Sequence, residues 1–247
     1  DKERVLEDVK RRAKELEELL KEVEDRYEED LRRIEETLKD TERRYREKLE
    51  KIKEELKRTV RRREVLEVIK ELLKKLEDNI RELLDAIREA LERLRRINKR
   101  ILDILRRAIE EIKKILDEIS RVDEKRELKK IKEEIDKLVD EIRRRLEELE
   151  KESEKVVKEL EDKLRESVKR SEEIAKEVTD DLRRKNVDEK IKRIVEKIIK
   201  EHRDVLERLK RIIEEITRSD RESLERLKEI LKELIRILKE LADRERK

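Results

Sequence analysis

Residues 5–56 read VLEDVKRRAKELEELLKEVEDRYEEDLRRIEETLKDTERRYREKLEKIKEEL, and their apolar positions recur every 18 residues. Val5, Val9, Ala13, Leu16 and Leu20 are followed by Val23, Tyr27, Leu31, Ile34 and Leu38, then by Thr41, Tyr45, Leu49, Ile52 and Leu56. Five positions in 18 residues give about 3.6 residues per turn, the period of a straight α-helix. A heptad pattern would give about 3.5 and a left-handed supercoil. The stretch therefore predicts long helices lying side by side with almost no supercoil.

Composition extends that reading to the whole chain. Its 247 residues include no Gly, Pro, Cys, Met, Trp or Phe. Without the two residues that break helices, the chain is expected to be helical nearly throughout, with very short connections. Charged residues make up 60% of the sequence, yet the net charge is only +3. Strict apolar periodicity at low net charge points to a packed bundle rather than to disorder. Basic and acidic residues alternate along every helix, often at i,i+4 spacing, which supports helices by a few tenths of a kcal/mol per pair.

Following the apolar stripe on a helical wheel locates the breaks. The first stripe runs from Val5 to Thr59 or Val60; its continuation would fall on Arg63, Glu67, Lys70 and Lys74. New stripes begin at Val65, Leu128 and Ile191. Helices are expected over 2–60, 64–120, 124–185 and 189–245. Val122-Asp123-Glu124-Lys125 and Val187-Asp188-Glu189-Lys190 mark the second and third breaks in matching text. Asp123 and Asp188 read as N-caps, as does Asp1. Asn186 suits the left-handed conformation that ends many helices.

The first break, Thr59-Val60-Arg61-Arg62-Arg63-Glu64, has no strong cap or breaker. A turn fits four helices of nearly equal length in an up-down-up-down bundle. The rival is one continuous rod whose apolar face rotates, as in a domain-swapped dimer. Each helix is expected to hold about 58 residues and span about 90 Å, giving a single elongated bundle over 1–247.

The stripes differ in width. Helix 2 adds Leu66, Val68, Leu73, Leu84, Leu91, Leu102, Ile104 and Ile109 to its stripe. Helix 4 adds Ile194, Ile199, Leu206, Ile212, Ile230 and Ile235. Wide faces need more neighbours. The simplest account is a rhombic cross-section in which helices 2 and 4 touch across the short diagonal. The rival is an oligomer interface on those faces. A monomer is expected, with a dimer as the alternative.

Polar residues interrupt the stripes at two levels. Tyr45, Asn79, Ser167, Ser171 and His202 fall at one level along the bundle. Tyr27, Asn98, Ser153, Asp220 and Ser223 fall at another, about 27 Å away at the helical rise. Buried polar groups need partners. Two hydrogen-bond networks are expected, Tyr45–Asn79–Ser171–His202 and Tyr27–Asn98–Ser153–Asp220, acting to fix helix register. Thr41 and Thr59 lie at the stripe edge and read as boundary residues.

Little else in the sequence carries chemistry. His202 is the sole histidine, and no Glu-x-x-His motif suggests a di-iron bundle. His202 and Asp220 are five turns apart, too far for a catalytic pair. Tyr45 and His202 offer an acid–base pair but no substrate cavity. The runs Arg61-Arg62-Arg63 and Arg143-Arg144-Arg145 could touch nucleic acid, but short basic runs among mixed charges read as a solvated face. Two tyrosines give no stacking platform for nucleic acid. No apolar run is long enough to span a membrane, and Asp1-Lys2-Glu3-Arg4 does not open a signal peptide. No catalytic residue, cofactor, metal, nucleic-acid or membrane partner is expected.

The repeat, the missing Gly and Pro, the Leu/Ile core, the Glu/Lys/Arg surface and the polar levels together resemble de novo, parametrically designed straight antiparallel helical bundles with buried hydrogen-bond networks. The resemblance covers the whole chain and is one of style. It implies a hyperstable structural scaffold, without targeting signal and expressed in a bacterial cytoplasm. Assembly through the wide faces of helices 2 and 4 is the alternative.

Overall fold

The computed structural model describes residues 2–122 and 125–243. These form four α-helices: α1 (Lys2–Thr59), α2 (Arg63–Arg121), α3 (Lys125–Arg184) and α4 (Glu189–Asp243). The fold is an all-α four-helix bundle. The capping roles expected of Asp1 and Asp123 lie outside the described residues.

The buried positions of α1 reproduce the repeat. From Val9 to Leu56 they step through Ala13, Leu16, Leu20, Val23, Tyr27, Leu31, Ile34, Leu38, Thr41, Tyr45, Leu49 and Ile52 without interruption. Steps of three and four keep this single file on one face. Among the described residues, Leu19 is the exposed large apolar side chain, at 45%.

The two connections that lie wholly within the described residues are short, as the absence of Gly and Pro predicts. Between α1 and α2 stand Val60, Arg61 and Arg62. The Val60 N–H donates to the Leu56 carbonyl and the Leu66 N–H to that of Arg62, so the helical ladder runs up to the turn from both sides. Val60 tucks inward, buried. Between α3 and α4, Asn186 takes φ = 48°, the left-handed conformation expected of it. The Asp188 carbonyl then accepts the N–H groups of Ile191 and Lys192, opening α4.

Helix contacts fall into two compact units, each drawing on all four helices. The first unit comprises residues up to Asp30, Arg93–Lys155 and those from Arg218 onward. In it, α1 and α2 pair through Glu17–Lys113 and Glu24–Arg106. Seven residues along α1 match seven in the opposite direction along α2, so the two helices are antiparallel. Glu150 of α3 pairs with Lys228 of α4, and Ser153 of α3 with Asp220 of α4, again antiparallel. Arg12 of α1 lies between Glu233 and Glu240 of α4, 2.8 Å from Glu233. The two carboxylates raise the Arg12 pKa, chiefly by hydrogen bonding.

The second unit comprises Leu31–Glu92 and Val156–Thr217. Here Glu42–Arg88 and Lys53–Glu77 join α1 to α2, eleven residues apart in opposite directions. The 60–62 connection is therefore a turn between neighbouring antiparallel helices, and the continuous-rod alternative does not hold. Lys48–Glu201 and Glu55–Lys197 join α1 to α4. Arg62 donates to the Lys185 carbonyl at 3.1 Å, tying the two connections of this unit together.

The extra apolar width of α2 and α4 is used within the units. Leu73, Leu84, Leu91, Leu102, Ile104 and Ile109 are buried, as are Ile194, Leu206, Ile212, Ile230 and Ile235. Leu66, Val68 and Ile199, close to the connections of the second unit, remain half-buried. In the first unit, Ser223 of α4 donates to Asn98 of α2 at 2.9 Å, a direct contact across the short diagonal.

Most ion pairs are exposed and each contributes only a few tenths of a kcal/mol. Arg12, held by two partners with its side chain only 18% exposed, is expected to contribute more. Arg12→Gln should lower unfolding free energy by about 0.5–1 kcal/mol in urea titration, and the difference should shrink in about 1 M salt.

Candidate functional site

The polar residues singled out by sequence are all buried, and each unit holds one set. Tyr27, Asn98, Ser153, Asp220 and Ser223 belong to the first; Tyr45, Asn79, Ser167, Ser171 and His202 to the second. Helical spacing puts them on core faces because each occupies a position that the apolar stripe would otherwise fill.

In the first unit, Asp220 is the organising group. Tyr27 Oη donates to Asp220 Oδ1 at 3.5 Å, and Ser153 Oγ donates to Oδ2. Burial raises the Asp220 pKa, while the Ser153 and Tyr27 hydrogen bonds and nearby Arg221 lower it in part. Burial also pushes the Tyr27 hydroxyl well above its ordinary value, and the Asp220 carboxylate adds to that. Asn98 does not join this chain. It accepts from Ser223 instead, so the expected four-residue network divides into Tyr27–Asp220–Ser153 and Asn98–Ser223.

In the second unit, Asn79 and Ser167 form a reciprocal pair. Asn79 Nδ2 donates to the Ser167 carbonyl at 2.9 Å, and Ser167 Oγ donates to Asn79 Oδ1 at 3.1 Å. No hydrogen bond connects Asn79 to Tyr45, Ser171 or His202. Tyr45 Oη and both His202 ring nitrogens are buried without a partner among the described residues. The expected Tyr45–Asn79–Ser171–His202 network is not formed. A common level along the helices does not by itself bring polar atoms within 3.5 Å, because side-chain direction around each helix also decides the contact.

The two sets are related by the repeat. Tyr45 and Ser171 stand 18 residues after Tyr27 and Ser153, and His202 stands 18 residues before Asp220. The antiparallel course of α4 accounts for the opposite sign. At equivalent positions, an ionisable acceptor in one unit is replaced by an imidazole in the other. Burial lowers the His202 pKa to about 4, leaving the ring neutral at pH 7. Tyr45 is raised above its ordinary value, first by burial and then by Glu77.

Two threonines belong to the buried polar inventory. Thr41, read from sequence as a boundary residue, is 5% exposed, and Thr217, not singled out there, is 9% exposed. Each satisfies its own hydroxyl: Thr41 donates to the Thr37 carbonyl at 2.8 Å and Thr217 to that of Ile213 at 2.9 Å. Thr217 could have been found from its spacing to Ile213 and Asp220 on the core face. Thr59 is half-buried.

Chemically, these layers are hydrogen-bonding cores. A surface groove of about 300 Å³ is lined partly by Tyr45, Glu42 and Arg88, and His202 is not among its lining residues. Among the described residues there is no group of three or more His, Cys, Asp or Glu side chains able to hold a metal, and no helix is long and apolar enough to cross a membrane.

No family model and no curated protein matches the sequence. Among solved structures, the chain is similar to a computationally designed three helix bundle, at 19% identity and a TM-score of 0.44, covering 94% of this chain and 92% of that one.

Proposed function

We propose that the chain is a designed structural scaffold: a hyperstable monomer, forming one domain over 1–247, that performs no catalysis. The observation that carries this reading is the regularity of burial in α1, where every buried position from Val9 to Leu56 obeys the 18-residue spacing. Core placement this regular, in a sequence lacking Gly and Pro, matches the idealised backbones and patterning of designed bundles. Tyr27, Ser153 and Asp220, Asn98 and Ser223, and Asn79 and Ser167 are paired with one another, and Thr41 and Thr217 bond their own helix. Paired buried groups serve register, since a shifted helix would leave them without partners.

The alternative of assembly through the wide faces of α2 and α4 is less well supported, because those faces are largely buried within the units. Light scattering at about 0.1 and 1 mM should return the monomer mass of 30.6 kDa at both concentrations. Circular dichroism should show one unfolding transition above about 90 °C, the threshold for a hyperstable protein. A dimer mass, or melting in the ordinary mesophilic range, would reject the corresponding part of the reading.

A further inference from the structure

In the first unit, a groove of about 590 Å³ runs between α3 and α4. Its volume lies within the roughly 300–1,000 Å³ typical of small-molecule sites. Buried Ile101, Leu227 and Ile235 contribute to its lining, together with half-buried Leu146, Leu224 and Leu231. Along α4 it extends from Leu224 to Lys239, about 22 Å at the helical rise.

The groove is polarised. The Glu150–Lys228 ion pair sets the register of its two walls. Seven residues from that pair, toward the start of α3 and the end of α4, Arg143 faces the level of Ile235. That end also carries Lys232, Arg236 and Lys239, spaced i, i+4 and i+7 on one face of α4. Arg236 pairs with Glu233, whereas Arg143, Lys232 and Lys239 make no ion pair among the described residues. Of the acids in the lining, Glu150 lies farther along the groove, whereas Glu147 stands level with Leu231 beside Lys232, so the end beyond that level, with Arg143, Arg236 and Lys239, holds basic residues alone in the lining. The opposite end is formed by Leu224, Leu227 and Ile101, with Ile101 placed there by the nearby Asn98–Ser223 contact.

We propose that this groove binds a single-chain anionic amphiphile of the fatty-acid class. Its carboxylate sits among Arg143, Lys232 and Lys239, and its hydrocarbon tail runs toward Leu224 and Ile101. An anion there offsets the repulsion within a one-sign stripe. The length fits, because a bilayer core of about 30 Å holds two chains end to end, or about 15 Å for each. Width selects the same guest. The Glu150–Lys228 pair joins the walls, so a helix about 10 Å across would have to break it, whereas an acyl chain can lie beside it.

The test is calorimetric titration of the full chain with sodium dodecanoate below its micelle concentration, alongside decanoate and dodecyltrimethylammonium. Saturable 1:1 binding of dodecanoate is expected, weakening about fourfold for each methylene removed, with at least tenfold weaker binding of the ammonium compound. Lys232→Glu/Lys239→Glu should weaken dodecanoate at least tenfold while helicity is unchanged; Lys232→Gln/Lys239→Gln is the milder substitute if that variant does not fold. Leu224→Gln should reduce dodecanoate binding and flatten the chain-length dependence. Absence of binding below micelle concentration, equal affinity for both headgroups, or indifference to the lysine substitutions would overturn the proposal. So would a protein dimer that covers the groove and excludes dodecanoate.

Discussion

His202→Leu is expected to stabilise the protein at pH 7 and to remove an acid-sensitive step. Both imidazole nitrogens are buried without partners, and an unsatisfied buried polar group costs about 1–3 kcal/mol. Leucine fills a similar volume without that cost, so a gain of about 1–2 kcal/mol is expected at neutral pH. The acid effect follows from proton linkage. The folded-state pKa of His202, about 4, lies below its ordinary 6.5. Between those values the unfolded chain binds more protons than the folded one, so stability falls as pH drops from about 6.5 to 4 and then levels off. The full loss is about 3 kcal/mol, taking about 1.4 kcal/mol per pKa unit. Urea unfolding of both proteins at pH 7, 5.5 and 4 measures the difference, in which the carboxylates common to both cancel. A difference that does not change with pH would show that His202 is solvated.

Asp220 acts in the opposite direction. Its pKa is raised above the ordinary 3.8, so the folded protein takes up this proton before the unfolded chain does. Its contribution grows as pH falls through the raised value and is complete below the unfolded one. At neutral pH Asp220 is a buried carboxylate that depends on its donors. Ser153→Ala, which removes one of them, is expected to cost about 1.5–3 kcal/mol, the range for hydrogen bonds to charged groups. The triple substitution Tyr27→Phe, Ser153→Ala and Asp220→Leu removes the charge and its donors together. It should equal or exceed the parent in stability, because replacing a complete buried polar group by packed apolar side chains is often neutral or favourable. Denaturant unfolding of the single and triple variants decides the point. A triple variant weaker than the parent would mean that the Asp220 cluster adds net stability.

The helices were legible in the sequence because their determinants are local and periodic. The change of stripe near Val60 located the first turn even without a cap, and Asn186 announced its own left-handed backbone. The width of the α2 and α4 stripes likewise anticipated that these two helices touch, as Asn98 and Ser223 do. Polar levels could be counted from helix midpoints because axial rise is constant. Pairing within a level could not. Asn79 bonds Ser167 rather than Ser171, and Asn98 bonds Ser223 rather than Asp220, choices made by rotamers and by azimuth around each helix. Thr41 and Thr217 escaped for another reason: a threonine that bonds its own helix can sit in a core without any partner elsewhere.

The uninterrupted burial pattern of α1 also makes length quantised. Eighteen residues turn an ideal helix through five whole revolutions, so a block of that size returns every later side chain to its original azimuth and advances it about 27 Å. Inserting one block in each of the four helices would preserve every facing relation on both sides of the insertion. A seven-residue block would leave each later face rotated by about 20°. The repeat thus acts as a ruler whose smallest usable graduation is one complete block, and on that ruler Tyr27 and Tyr45 are successive marks.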